Sequence, residues 1–300
     1  MYAMLLYCHG GGVRMEKMIT FTLNGVAIEA KQGETILQAA RRVGEYIPTM
    51  CYLSKTHPIA SCRLCVVQAV GVDGFVLSCQ TPVVEGATIV TTSEALERER
   101  KRIMELYAVN HPLECGVCDK SGECDLQNQM LEHKIDTQHF AAREQQRSIA
   151  NWGLIQYDPN LCILCEKCVH VCNEVVGDDA IEIKFGGYSS TIIPKNSETL
   201  DCTFCGECIA VCPVGALISK DFQYSSNAWE LTKIPSSCTH CSSTCHLTYE
   251  VKNESSMTKN EKTIYRVTND FEFSTLCGAG RFGFDYDNKA TKNETQFNRA

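Results

Sequence analysis

Nineteen of the twenty cysteines fall into five closely spaced groups, and a chain so divided has no room for one large apolar core. The first group is Cys51, Cys62, Cys65 and Cys79. The second is Cys115, Cys118 and Cys124, a set one donor short, which His111 completes. Cys162-x2-Cys165-x2-Cys168-x3-Cys172 and Cys202-x2-Cys205-x2-Cys208-x3-Cys212-Pro213 follow, two copies of one spacing. Cys238-x2-Cys241-x3-Cys245 is closed by Cys277 after a gap of thirty-one residues. Only Cys8 is left over. Five ligand sets in 300 residues imply small modules whose folding depends on metal, so the apo chain is expected to be largely disordered.

The net charge of -8 and the absence of a basic block exclude nucleic acid as a partner. A secreted disulfide scaffold is excluded by length and by the start of the chain. Met1–Tyr7 is apolar but short, with no basic n-region and no cleavage site. No run is long enough to span a bilayer. A reducing, cytoplasmic location is expected, with membrane contact only through partner subunits. Gly10-Gly11-Gly12 follows no strand and precedes no helix of the right spacing, so it is no dinucleotide fingerprint. Regular structure begins near Met15 or Met18, which leaves 1–17 as an unstructured extension holding Cys8. The polar tail Asn288–Ala300 reads as a cut through a longer protein.

Met18–Leu23 and Val26–Ala30 alternate around Asn24-Gly25, the strongest short hairpin signal. Glu34–Val43 then places Ile36, Leu37, Ala40 and Val43 on one helical face. Val66–Val70, Phe75–Ser78 and Thr88–Thr91 are further strands, and the whole reads as a β-grasp domain. A helix is expected over Ser93–Val109 with Ser93 as N-cap. Lys134–Asn151 is a polar connector. Between the two repeated motifs, Ile181–Phe185 and Thr191–Ile193 are strand candidates. The fold class is α+β, in modules at 18–95, 96–150, 151–228 and 229–300.

Soft, anionic thiolates are the ligands that iron–sulfur clusters use, and the repeated motif, its second copy ending in Cys212-Pro213, is that of bacterial two-cluster ferredoxins. The cysteine before proline there ligates the other cluster. One cluster then takes Cys162, Cys165, Cys168 and Cys212, and the other Cys202, Cys205, Cys208 and Cys172. Zinc ribbons do not use this spacing. For the first and last groups, spacing alone leaves zinc open. At the second group, His111 is the nearest donor, with His133 and His139 as rivals. A neutral imidazole there raises the reduction potential.

Taken in order, residues 18–290 resemble the amino-terminal part of the large iron–sulfur G subunit of bacterial NADH–quinone oxidoreductase, complex I. The resemblance implies [2Fe–2S] at Cys51/Cys62/Cys65/Cys79 and a His-ligated [4Fe–4S] cluster at His111–Cys124. It also implies [4Fe–4S] clusters at Cys162/Cys165/Cys168/Cys212 and at Cys238–Cys277, the last opening a molybdopterin-oxidoreductase-like domain. With the second ferredoxin cluster the expected complement is one [2Fe–2S] and four [4Fe–4S] clusters. The implied partners are the other peripheral-arm subunits, at the cytoplasmic face of the inner membrane. No side chain is expected to be catalytic.

Many members of this family keep only one ferredoxin cluster. The ligands Cys172, Cys202, Cys205 and Cys208 suggest a donor such as ferredoxin or flavodoxin. The α subunit of NAD-dependent molybdenum formate dehydrogenase, iron-only hydrogenase and a free-standing multicluster ferredoxin are rival resemblances. Hydrogenases need a further cysteine set that Cys238–Cys245 does not match. Formate dehydrogenases resemble Cys-x-Lys-Gly-Arg after the last ligand. Here Ala279, whose methyl group can donate no hydrogen bond to a pterin, stands in the lysine position.

Overall fold

The computed structural model describes residues 17–137, 140, 146–196, 199–256 and 259–284, without the side chains of 254–261. Cys8, His139, Gly10–Gly12 and the polar tail lie outside the described residues. The chain forms two compact bodies. Among the described residues, one is 17–47 with Cys65–Leu96, and the other is Pro48–Leu64 with those from Glu97 on.

In the first body, β1 (Met18–Leu23) and β2 (Val26–Lys31) pair antiparallel with Leu23 opposite Val26. Asn24 and Gly25 both take positive φ, 50° and 84°, as the tight hairpin demands. Helix α1 (Ile36–Arg42) buries Ile36, Leu37, Ala39 and Ala40. Thr35 caps it in a reciprocal box with Gln38. Thr35→Ala should therefore cost about 1 kcal/mol, read as a lower urea midpoint at unchanged slope. Strands β3 (Val66–Ala69), β4 (Val76–Leu77) and β5 (Thr88–Val90) complete a sheet of order β2-β1-β5-β3-β4. Strand β1 pairs parallel with β5, Thr22 opposite Thr88.

Helix α2 (Glu94–Asn110) starts as expected, with the Leu96 amide donating to Ser93 Oγ at 3.2 Å. Then come α3 (Asp125–Glu132), β6 (Ala150–Trp152) and β7 (Ile155–Tyr157). Helix α4 (Lys167–His170) runs into a π-helical turn, Val171–Val176. Strands β8 (Ile181–Lys184) and β9 (Thr191–Pro194) are the two expected between the motifs, and they pair antiparallel. Helix α5 (Glu207–Ala210) and β10 (Leu217–Ser219) close the repeat, β10 pairing with β7. The core of this region is Trp152, Ile155, Tyr157, Ile192, Val214 and Leu217, with Cys165, Cys168 and Cys212 packed among them.

The last part is a three-stranded meander, β11 (Thr232–Ser237), β12 (His246–Ser256) and β13 (Lys259–Thr268), followed by α6 (Gly278–Phe282). Its small core is Cys238, Leu247, Val267, Leu276 and Phe284. No helix among the described residues is long and apolar enough to cross a membrane.

Candidate metal centres

The two repeated motifs fold alike. Leu164 and Phe204, at equivalent positions, have φ of 51° and 50°; Glu166 and Gly206 have 65° and 71°. Non-glycine residues take this conformation at a cost of about 1–2 kcal/mol, and such strain gathers where a loop must wrap a ligand. Here it aims amides at sulfur: Leu164 N–H donates to Cys162 Sγ at 3.4 Å and Phe204 N–H to Cys202 Sγ at 3.3 Å. The third cysteine of each motif, Cys168 or Cys208, then sits in the short helix α4 or α5. Cys172 lies in the π-helical turn and accepts from Ala180 N–H at 3.4 Å.

Cys162, Cys165, Cys168 and Cys212 line one cavity, walled by Tyr157, Ile192, Val214 and Leu217. Cys212, from the second motif, is thus brought to the same cavity as the three leading cysteines of the first. Burial pushes the Cys165 and Cys168 thiols far up, and the neighbouring cysteines add to it. Burial raises Cys208 first, and Cys205, Cys172 and Cys202 add to it. Thiolates crowded in apolar surroundings need a compensating cation, and iron supplies it. The donor set and the enclosure fit [4Fe–4S] clusters. Chelating the iron should therefore unfold this region, seen as loss of its circular dichroism; an unchanged spectrum would show that the core holds without metal.

In the second group, burial raises Cys118 and Cys124, and Cys118 also feels Asp119 and Cys115. A Cβ on Gly215 would stand 2.5 Å from Cys118 Sγ, so this group abuts the segment just after Cys212. Burial lowers the His111 imidazole, so the neutral ring is favoured, against Asp158 and the Leu161 backbone. Its Nδ1 is buried with no hydrogen-bond partner among the described residues. An orphaned ring nitrogen whose ring is oriented by a backbone group is what a metal-bound histidine needs. His133 Nε2 is equally unpartnered, but its Nδ1 lies 3.5 Å from Glu97 and its residue caps α3. His139 is outside the described residues.

Of the first group, Cys65 and Cys79 belong to the first body and Cys51 and Cys62 to the second. All four are buried. Cys62 N–H reaches Cys51 Sγ at 3.5 Å, and the Cys62 thiol holds Cys51 down to about 6. Ser78, beside Cys79, donates its hydroxyl to the Cys65 carbonyl at 2.8 Å. In the last group Cys238 is buried, and its amide donates to the Cys245 carbonyl at 2.8 Å. Cys277 caps α6, and Gly280 of that helix lies against Cys238 Sγ. Cys241 and Cys277 are exposed. Among the described residues, no three His, Cys, Asp or Glu side chains close on a single-ion position.

Sequence reasoning missed the buried ion pair of Glu207 with Arg281, 2.7 Å apart. It also missed the network in which Arg266 bonds Glu250 and Glu123, each at 2.6 Å. Neither has a spacing signal, because each joins residues more than fifteen positions apart.

Cysteine-rich loops on small mixed modules define a multicluster iron–sulfur protein. Family models match in series: a 2Fe-2S iron-sulfur cluster binding domain at 16–94, the NADH-ubiquinone oxidoreductase-G iron-sulfur binding region at 100–139, and the NADH-quinone oxidoreductase subunit 3 ferredoxin-like domain at 153–218. NADPH-Fe(3+) oxidoreductase subunit alpha of Geobacter sulfurreducens is 42% identical over 90% of this chain and 32% of its own length. The NADH-quinone oxidoreductase G subunit 2 of Rhizobium meliloti is 34% identical over 90% of this chain and 31% of its own. A chain of the crystal structure of an NAD+-reducing [NiFe]-hydrogenase in the H2-reduced state is 33% identical with a TM-score of 0.65, covering 69% of this chain and 90% of that one. The chain belongs to the family of the iron–sulfur G subunit of NADH–quinone oxidoreductase. It spans about a third of the length of these curated relatives.

Proposed function

We propose that this chain is the electron-conducting front of a pyridine-nucleotide oxidoreductase of the complex I type. Its clusters would be [2Fe–2S] on Cys51, Cys62, Cys65 and Cys79, and [4Fe–4S] on His111, Cys115, Cys118 and Cys124. Two further [4Fe–4S] clusters would sit on Cys162, Cys165, Cys168 and Cys212, and on Cys202, Cys205, Cys208 and Cys172. The last would sit on Cys238, Cys241, Cys245 and Cys277. The modules follow the same division, at 18–95, 96–150, 151–228 and 229–300. The observation that carries the reading is the single cavity shared by Cys162, Cys165, Cys168 and Cys212.

The clusters supply one-electron chemistry when bound. The chain's own part is to fix ligand geometry, to exclude water and to donate amide hydrogen bonds to sulfur, all of which set potential. Flavin, nicotinamide and quinone chemistry belong to partner subunits at the cytoplasmic membrane face. The second ferredoxin cluster suits an added donor such as ferredoxin or flavodoxin. The 42% identical relative favours a second reading, in which NADPH is the donor and Fe(III) the acceptor. Assays of the purified complex separate these. NADH-driven quinone reduction supports the first, NADPH-driven Fe(III) reduction the second. Indifference to reduced ferredoxin and flavodoxin would remove the added donor.

A further inference from the structure

We propose that the buried Glu207–Arg281 pair sets the reduction potential of the cluster on Cys172, Cys202, Cys205 and Cys208, with Arg281 raising it and Glu207 lowering it. This rests on the ligand reading above. Arg281 is 4% exposed and Glu207 fully buried. The guanidinium donates to Glu207 Oε1 at 2.7 Å, to Asn269 Oδ1 at 2.6 Å and to the Cys205 carbonyl at 2.9 Å. Its stem crosses Gly206 so closely that a Cβ there would lie 2.1 Å from Arg281 Cδ. A fixed cation is thus laid on the turn between Cys205 and Cys208, and a fixed anion stands within that turn.

Reduction adds one negative charge to a cluster. A nearby buried cation favours the reduced form and a buried anion opposes it, and neither is well screened by salt. The first motif is built differently: Lys167 occupies the position equivalent to Glu207. The pair also joins two ligand loops. Glu207 accepts from the Leu276 amide at 2.7 Å, beside Cys277, and a Cβ on Gly278 would stand 2.9 Å from the Phe204 carbonyl.

The test is an EPR-monitored redox titration of the protein in its native complex, wild type beside R281Q, E207Q, R281K and the double variant E207Q/R281Q. In R281Q the reduced-to-oxidised ratio of this cluster at the wild-type midpoint should fall roughly threefold, about 28 mV at 59 mV per decade. E207Q should move it the opposite way. R281K should stay near wild type, the double variant should lie between the singles, and the other clusters should not move. If R281Q fails to assemble, E207Q and R281K still decide the matter. Shifts of the same sign in both neutralising variants, or an E207Q midpoint equal to wild type, would overturn the proposal. A wild-type protein lacking this cluster's signal and about four irons would instead overturn the ligand reading.

Discussion

Cys212→Ala is expected to abolish one four-iron cluster and to leave the cluster of its own motif in place. By sequence Cys212 closes the run Cys202–Cys208, but in space it lines the cavity of Cys162, Cys165 and Cys168, the last of which lies forty-four residues earlier. The lost EPR signal should therefore be the one that Cys165→Ala removes, and Cys205→Ala should remove the other. Iron should fall by about four per chain, unless a three-iron remnant survives on the remaining thiolates. Stability should fall as well, because the cluster joins the two halves of the repeat and its cavity is part of the apolar core. A Cys212→Ala spectrum matching that of Cys205→Ala would show that each motif closes on itself.

Replacing His111 by cysteine should lower the potential of the second group's cluster, on the order of 100 mV, while keeping its iron. The neutral ring adds no charge to the cluster, whereas a thiolate adds one and makes a further electron harder to accept. His111 Nδ1 is buried and unpartnered, so the ligand position needs no rearrangement of hydrogen bonds. The measurement is a redox titration of that cluster's EPR signal in His111→Cys and in His133→Cys. A shift confined to His111→Cys assigns the ligand. An unchanged potential in His111→Cys would remove it from the site.

The hairpin at Asn24-Gly25, the cap at Ser93 and the strands between the ferredoxin motifs were legible because each depends on local chemistry. The repeated spacing put Cys212 with the first motif, and the four thiols line one cavity. The β11–β13 meander was not. β11 is mostly polar and exposed, and a bulge at Glu250/Val251 breaks the alternation of β12. Strand order rests on pairings far apart in the chain, and so do Glu207–Arg281 and Arg266–Glu250. Charged residues ordinarily mark surface, and nothing in their spacing shows that Glu207 and Glu250 are buried. The left-handed Leu164 and Phe204 were likewise invisible, because the sulfur they serve, and not their own propensity, fixes their conformation.

We expect this chain to carry five clusters and no molybdenum. The most direct test is iron, acid-labile sulfide and molybdenum analysis of the native complex, purified without air, with iron assigned to this chain. The expected result is about eighteen irons per chain, from one two-iron and four four-iron clusters, and no molybdenum. Stoichiometric molybdenum would contradict the reading of Ala279 and make this the front of a formate-dehydrogenase-like enzyme. An iron count short by about four would contradict the extra ferredoxin cluster.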